Sequence, residues 1–381
     1  MSDARDRHPH VPLRLGPHTV DPPVVLAPMA GVTDSPFRRV CRDYGAGLYV
    51  SEMITTRAIC ERNPKTMAMI GFAPEEAPRS LQLYGVDPAV VGEAVRILVG
   101  EDRVDHIDLN FGCPVAKVTR RGGGAALPWK RGLFAAIVRA AVRSAGAVPV
   151  TVKMRLGIDD AHLTYLEAGA IAAAEGAVWV ALHGRTASDF YSGRAAWAPI
   201  GELASRLPVP VLGNGDIWTA ADALAMVRET GCAGVVVGRG CMGRPWLFGE
   251  LAAAFAGREA PPMPTLGEVA EVIRRHAELM AAWKGEQRGL IDLRKHTGWY
   301  LKGFPVGGEV RSRLHRVSSL AELDDLLAQL PADAAYPTET AAQPRGRTTS
   351  GVKAVALPDG WLHDRDDLGV PVDAELAASG G

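Results

Sequence analysis

Asp105-His106-Ile107-Asp108-Leu109-Asn110-Phe111-Gly112-Cys113-Pro114 begins as a short strand-like run, 105–109, and ends in polar and loop-shaping residues, Asn110 to Cys113. Seven other runs of β-branched or apolar residues have the same form: 24–27, 48–51, 80–84, 150–154, 178–182, 209–212 and 234–237. Between them, 88–98, 132–144, 164–174 and 220–229 space their apolar residues as a helix does. Strand then helix, repeated, predicts a parallel sheet with crossover helices. Periodicity alone allows that sheet to stay open or to close, and the run ends decide. Each is followed by small or chemically useful groups: Pro28-Met29-Ala30, Glu52, Gln82, Asn110 to Cys113, Lys153, His183, Asn214-Gly215-Asp216 and Gly238-Arg239. In a barrel all eight ends converge on one mouth, where active sites of that architecture lie. The expected fold class is α/β, a (β/α)8 TIM barrel followed by a small C-terminal helical domain.

The 381 residues accommodate one barrel of about 250 residues with a smaller domain beside it. The expected division is an N-terminal extension over 1–20, the barrel over 21–257, a helical domain over 265–331 and a tail over 332–381. Residues 258–264, REAPPMP, read as a linker because of their prolines. Thr265 and Ser318-Ser319 stand where helices would be capped. Ala, Pro, Thr, Gly and charge dominate the tail and predict poor order, although VKAVALPDGWL (352–362) carries enough apolar residues to dock.

A composition of 47% hydrophobic and 22% charged residues is that of an ordinary globular chain. No uncharged apolar run approaches the roughly 18–20 residues of a bilayer span, which predicts a cytoplasmic protein without a membrane partner. Five cysteines without a C-x-x-C pair point to neither a disulfide framework nor a zinc site, and no metal is expected. The net charge of −1 hides an uneven distribution. Residues 272–316 hold ten Lys or Arg against four acids, an excess of +6, with three histidines beside them.

The glycine- and proline-shaped loop carrying Cys113, followed by Gly122 to Gly124, would project a thiol over the mouth. An ordinary thiol titrates near about 8.5, so at neutral pH it holds a proton it can donate. Lys153 ends an apolar strand and suits the N1/O2 edge of a flavin, where charge tunes the ring. His183 ends the sixth run, and Arg185 beside it could pair with a substrate phosphate. Asn214-Gly215-Asp216 and Gly238-Arg239 follow the seventh and eighth runs, where barrel loops commonly bind phosphate. Gly238-Arg239-Gly240-Cys241-Met242-Gly243 also matches G-x-G-x-x-G, but the next helix runs into the proline linker, so no second strand exists for a dinucleotide fold to use.

Taken together, LAPMAGVTDSPFR (26–38), LQLYG (81–85), DLNFGCP with GGGAAL (108–114, 122–127), VKMRLG (152–157), LHGRT (182–186), GNGDI (213–217), GRGCMGRPW (238–246) and KHTGWYLKGFP (295–305) resemble the bacterial type of the tRNA-dihydrouridine synthase family. The likeness runs from about 24 to 330. It implies an FMN-dependent enzyme that uses NADPH or NADH to reduce the C5–C6 bond of specific uridines in tRNA. By that likeness Pro28, Met29 and Ala30 lie along the flavin. Gln82 and Lys153 contact its ring, and His183, Asn214, Gly215, Asp216, Gly238 and Arg239 make further cofactor contacts. Cys113 matches the proton donor and Asn110 a substrate-side neighbour. The basic stretch 272–316, with Lys117, Arg120 and Arg121, would hold the tRNA backbone. Two other readings compete: a flavin barrel dehydrogenase acting on a free pyrimidine or other small metabolite, and a tRNA-binding protein that has lost its chemistry.

Overall fold

The computed structural model describes residues 11–45, 47–346 and 348–371. Ten strands occur among them: β1 (Leu13–Leu15), β2 (His18–Val20), β3 (Val24–Leu26), β4 (Leu48–Thr55), β5 (Ser80–Tyr84), β6 (His106–Phe111), β7 (Val150–Arg155), β8 (Val180–His183), β9 (Val211–Asn214) and β10 (Gly234–Val237). The last eight close into a barrel in the order β10-β3-β4-β5-β6-β7-β8-β9, every neighbouring pair parallel. The eight expected runs are these eight strands. Helices Pro88–Gly100, Arg131–Ala145, Tyr165–Ala174 and Ala220–Thr230 cover the outside where helical spacing places them.

Strand alternation sorts each strand into an outer and an inner row. The outer row, such as Ile107, Leu109 and Phe111 of β6, packs on the helices in one continuous apolar core. The inner row is divided. Val25, Ala27, Leu48, Val50, Ala181, Leu212 and Val236 fill one side of the lumen, together with Leu13, Leu15 and Val20 from the β1–β2 hairpin. The hairpin thus closes the end of the barrel opposite the mouth, a role that residues 11–20 did not announce in sequence; residues 1–10 of the expected extension lie outside the described residues. Facing this apolar side, β5, β6 and β7 point Ser80, Gln82, His106, Asp108 and Thr151 inward, all buried.

After the coil over 258–264, helices Leu266–Lys284, Glu286–Tyr300, Gly308–Leu314 and Leu320–Leu327 form the second unit, with a separate apolar core. Thr265 caps the first through a reciprocal capping box with Glu268, and Ser319 caps the last. The helix Ser35–Arg42, capped by Asp34, meets the pair through Phe37, whose ring lies 5.7 Å from His276 and 5.6 Å from His296.

The poor order expected from 332 onward does not describe residues 332–346 and 348–371. Tyr336, Arg345 and Trp361 are buried, and Trp361 Nε1 donates to the Ala126 carbonyl at 3.0 Å. A composition averaged over the tail hides these few anchors. The docking expected of 352–362 is the Trp361 contact; residues 372–381 lie outside the described residues.

Candidate active site

At the carboxyl ends of the strands lies a cavity of about 480 Å3. The residues expected to contact cofactor or substrate all reach its wall: Pro28, Met29 and Ala30 after β3, Gln82 on β5, Asn110 and Cys113 at the end of β6, Lys153 on β7, His183 and Arg185 after β8, Asn214, Gly215 and Asp216 after β9, and Gly238 and Arg239 after β10. Glu52, the other strand-end group, does not line it and instead accepts the Gly31 N–H at 2.8 Å. Register explains this convergence, since Gln82 pairs with Asp108, Asn110 with Lys153, and His183 with Asn214, setting these side chains at nearly one height.

A ladder of buried polar groups fixes the floor. Ser80 Oγ meets His106 Nδ1 at 2.6 Å, His106 Nε2 meets Thr151 Oγ1 at 2.8 Å, and Thr151 Oγ1 donates to Asp108 Oδ1 at 2.6 Å. Gln82 Nε2 donates to Asp108 Oδ2 at 2.7 Å, and Asn110 Nδ2 donates to Gln82 Oε1 at 3.1 Å. A buried amide with both ends bonded has a single orientation. Gln82 therefore presents a fixed face to the cavity.

The ladder continues into the cysteine loop. Asn110 Oδ1 accepts the backbone N–H of Gly112 and of Cys113, both at 3.0 Å, so one side chain shapes the turn that carries the thiol. From the other side Arg155 Nε donates to the Gly112 carbonyl at 2.9 Å, while its Nη1 donates to the carbonyls of Thr186 at 2.8 Å and Phe190 at 2.9 Å. Burial pushes the Cys113 thiol above its ordinary value, opposed by the Val115 backbone N–H and the Arg155 charge. The thiol stays protonated at neutral pH, and the same two groups would steady the thiolate left after proton transfer.

The opposite wall is cationic. Lys153 Nζ donates to Asn214 Oδ1 at 2.9 Å, and Asn214 Nδ2 donates to the Val236 carbonyl at 2.7 Å. Burial, with Arg155 adding repulsion, lowers Lys153 to about 8 despite the opposing charge of Asp108. His183 is held neutral by burial and by Arg155, Lys153, Arg185 and Arg239 around it. Arg239 lies against two aromatic faces, 4.3 Å from the ring centre of Tyr191 and 5.2 Å from that of Trp218. Four cations around one neutral imidazole make this end of the cavity suited to an anion.

Two of the expected contacts have a different immediate job. The Arg185 guanidinium is buried, donating to the carbonyls of Ser192 and Gly193 and pairing with Asp216 at 2.8 Å. Asp216 Oδ2 also accepts the Ala195 backbone N–H at 2.7 Å. Arg185 and Asp216 therefore brace the loop after β8 against the loop after β9, and Arg185 is occupied within the protein rather than free for a substrate phosphate.

Several wall residues were not assigned to the site in sequence. Phe190 and Tyr191 come from mid-loop, with Phe190 in the left-handed region at φ 51° and held there by Arg155. Lys295 and Trp299 come from the helical unit, where Lys295 Nζ bonds the Gly31 carbonyl across the domain boundary. Arg155 was legible by position: it follows Thr151 and Lys153 at period two on β7 and must share their inward face, whereas Lys295 and Trp299, though within KHTGWYLKGFP, are brought to the mouth only by the packing of the helical unit.

A closed eight-stranded parallel barrel with an acid, buried cations and an anion-suited end gathered at its mouth is the architecture of a (β/α)8-barrel enzyme. The family model described as Dihydrouridine synthase (Dus) matches residues 25–335. A protein of Mycobacterium tuberculosis named "Probable tRNA-dihydrouridine synthase" is 56% identical over 391 residues, covering 100% of both chains. The tRNA-dihydrouridine synthase B of Xanthomonas axonopodis pv. citri is 39% identical over 311 residues, covering 81% of this chain and 92% of its own length. Among solved structures, 6-hydroxypseudooxynicotine amine oxidase from Pseudomonas geniculata N1 shares the fold at a TM-score of 0.50 and 13% identity, covering 88% of this chain and 69% of that one. The chain belongs to the dihydrouridine synthase family. No helix among the described residues is long and apolar enough to cross a membrane, and no group of three or more His, Cys, Asp or Glu there could hold a metal ion.

Proposed function

We propose that the protein is a cytoplasmic, flavin-dependent reductase that converts specific uridines of tRNA to 5,6-dihydrouridine, with Cys113 as the proton donor. The observation that carries this reading is the meeting, in one cavity, of a protonated thiol, a buried ammonium and a glycine-lined cationic end. The glycines support a cofactor there. A Cβ built at Gly238 would meet no protein atom closer than 3.6 Å, so packing does not account for that glycine, and the open space beside it faces the cavity. Gly215, at φ 125°, brings its backbone where a Cβ would strike Ala195 at 2.6 Å. Flexed backbone and an arginine at the ends of the last two strands suit the phosphate of FMN, and the cavity lies within the roughly 300–1,000 Å3 of small-molecule sites.

In this reading Pro28, Met29 and Ala30 lie along the cofactor, Gln82 and Lys153 meet its ring, and His183, Asn214, Gly215, Gly238 and Arg239 hold its other end, with Asp216 braced behind by Arg185. FMN held there would supply the hydride for C6 of the uracil, NADPH or NADH being the source of its electrons. Cys113 gives its proton to C5, and the thiolate is steadied by Arg155 and the Val115 N–H until solvent returns a proton. Asn110 holds the loop so that the thiol faces the base. A uridine within folded tRNA reaches such a mouth only when turned out of its stack. Lys295 and Trp299, supplied by the helical unit, favour a polymer over a free pyrimidine, which would need no second unit at the rim.

The test is Cys113→Ala. The purified protein is expected to be yellow, and the variant is expected to let NADPH bleach the flavin while forming no dihydrouridine in unmodified tRNA. Undiminished product from the variant would remove the acid role from Cys113, and a colourless native protein would remove the flavin.

A further inference from the structure

Beyond residue 335, where the family match ends, the chain turns back over the barrel and touches both loops that frame the mouth. Leaving the helical unit, it is held by the Arg345 guanidinium, which donates to the Trp299 carbonyl at 2.7 Å and to the Tyr336 hydroxyl at 3.0 Å. It next reaches the loop after β8, where Thr349 Oγ1 accepts the Tyr191 N–H at 3.0 Å and Lys353 N–H donates to the Ser188 carbonyl at 2.8 Å. Finally it seats Trp361 behind the cysteine loop.

The Trp361 seat is closely built. Its indole N–H donates to the Ala126 carbonyl, and its ring lies so near Gly122 that a Cβ there would stand 2.5 Å from it. Lys130, itself buried, sets its ammonium 5.1 Å from the centre of the indole ring. Two residues on, Gly124 at φ 54° lies on Cys113, where a Cβ would stand 2.5 Å from the Cys113 carbonyl oxygen and 3.2 Å from its Cβ. The Ala125 N–H donates to that same carbonyl at 3.1 Å. Trp361 thus packs on Gly122 and Gly124 packs on Cys113, so the indole backs the thiol's backbone through a glycine run that has no side chains to yield. Flanking pairs keep the segment in place: Arg131 with Asp366 at 2.6 Å, and Arg365 with Glu167.

We propose that the C-terminal segment is a strap and that Trp361 is a positioning residue for proton donation, fixing the Cys113 loop from behind while Thr349 and Lys353 fix the Tyr191 loop. The proposal rests on Cys113 as the donor. A strap that only stabilised the fold would contact the barrel anywhere; this one closes on the two loops whose relative placement sets the distance from thiol to base. Reactions lose rate steeply when a reacting group is displaced even slightly.

The experiment uses the full-length, flavin-loaded protein with Trp361→Ala, Trp361→Phe and Cys113→Ala side by side, with all rates normalised to bound flavin. Trp361→Ala is expected to bleach with NADPH at the native rate and to lower kcat for dihydrouridine formation about tenfold, with KM for tRNA little changed. Peptide mapping after iodoacetamide is expected to find Cys113 alkylated at an altered rate, and Trp361→Phe, which keeps a ring on Gly122, to recover most of the turnover. Native kcat and native alkylation in Trp361→Ala would overturn the strap even if the variant melted earlier. Should Trp361→Ala fail to fold, Trp361→Leu, which also takes the ring off Gly122, is judged in its place: slower product with unchanged bleaching supports positioning, and parallel change or none overturns it. Full dihydrouridine formation by Cys113→Ala would instead overturn the donor on which the proposal stands.

Discussion

Lys153 carries its charge in surroundings that disfavour it, and this makes a prediction of unusual sign. Enclosure and the neighbouring Arg155 take its ammonium from 10.5 to about 8. A fall of that size corresponds to at most about 3 kcal/mol of lost stability at neutral pH, reduced by whatever screening solvent at the mouth provides. Because the folded value lies below the unfolded one, the protonated state is the one penalised. The penalty is therefore largest below about pH 8 and fades as pH rises toward 10.5, where the lysine is neutral in both states. Lys153→Met keeps the length of the side chain, removes the charge and forfeits the hydrogen bond to Asn214, worth about 1 kcal/mol. In flavin-stripped protein, urea unfolding at pH 7 is expected to find the variant more stable by about 1–2 kcal/mol, with the gain approaching zero by about pH 10. If flavin sits here as proposed, reduced FMN should reverse the order, since the desolvated cation would then face an anionic ring. A variant less stable than its parent at pH 7, or a gain that ignores pH, would refute the reasoning.

Arg155→Ala removes three hydrogen bonds from a buried guanidinium and strands the carbonyls of Gly112, Thr186 and Phe190, so the urea midpoint should report a loss of about 3–5 kcal/mol; a loss below about 1 kcal/mol would mean the two loops are held by other contacts. The buried pair His276 and His296, with ring centres 4.7 Å apart and Asp34, Lys284 and Lys295 nearby, predicts acid lability. Burial lowers His276 to about 4, so unfolded chains protonate first and stability should drain as pH falls from about 6.5 toward 4, by up to about 3 kcal/mol from this residue alone. Melting temperatures across that range would measure it, and His296→Leu should flatten the slope without losing a hydrogen bond, because neither ring nitrogen of His296 has a partner among the described residues; an unchanged slope would clear His296 of responsibility.

The barrel was legible because both of its determinants are local. A strand buried on both faces is a short apolar run, and a strand end at the mouth is a polar interruption of that run; neither needs knowledge of neighbours. Boundaries slipped where pairing overrode pattern. β4 continues to Thr55 through a register shift between Val50 and Met53, and β6 keeps pairing through Phe111, opposite Met154. The polar ladder was harder to see. His106, Asp108 and Asn110 alternate with apolar residues as a half-exposed strand does, and only closure of the barrel turns that polar face inward, where it must satisfy itself. The tail and the N-terminal hairpin escaped for another reason. Their order rests on a few buried side chains, Trp361 and Arg345 in one, Leu13, Leu15 and Val20 in the other, and such anchors matter only once the surface that receives them exists.

One physical cause gives the two central groups their opposite tasks. Loss of solvent at the barrel mouth raises the thiol of Cys113 and lowers the ammonium of Lys153, because burial penalises whichever form is charged. The thiol therefore keeps its proton at the pH where the lysine is close to losing one. The two stand on paired strands, Asn110 opposite Lys153, so the β6–β7 register that sets the height of the cation also sets the start of the loop that carries the thiol. Arg155 sits at the end of that register, tying the cysteine loop to the loop after β8 from inside, while the strap ties the same two loops from outside. Displacing either loop would change an electrostatic balance as well as a distance, since Arg155 depresses Lys153 and lowers the Cys113 thiol through the same charge. Position and protonation at this mouth are consequently one property of the structure, carried by a buried guanidinium between two loops.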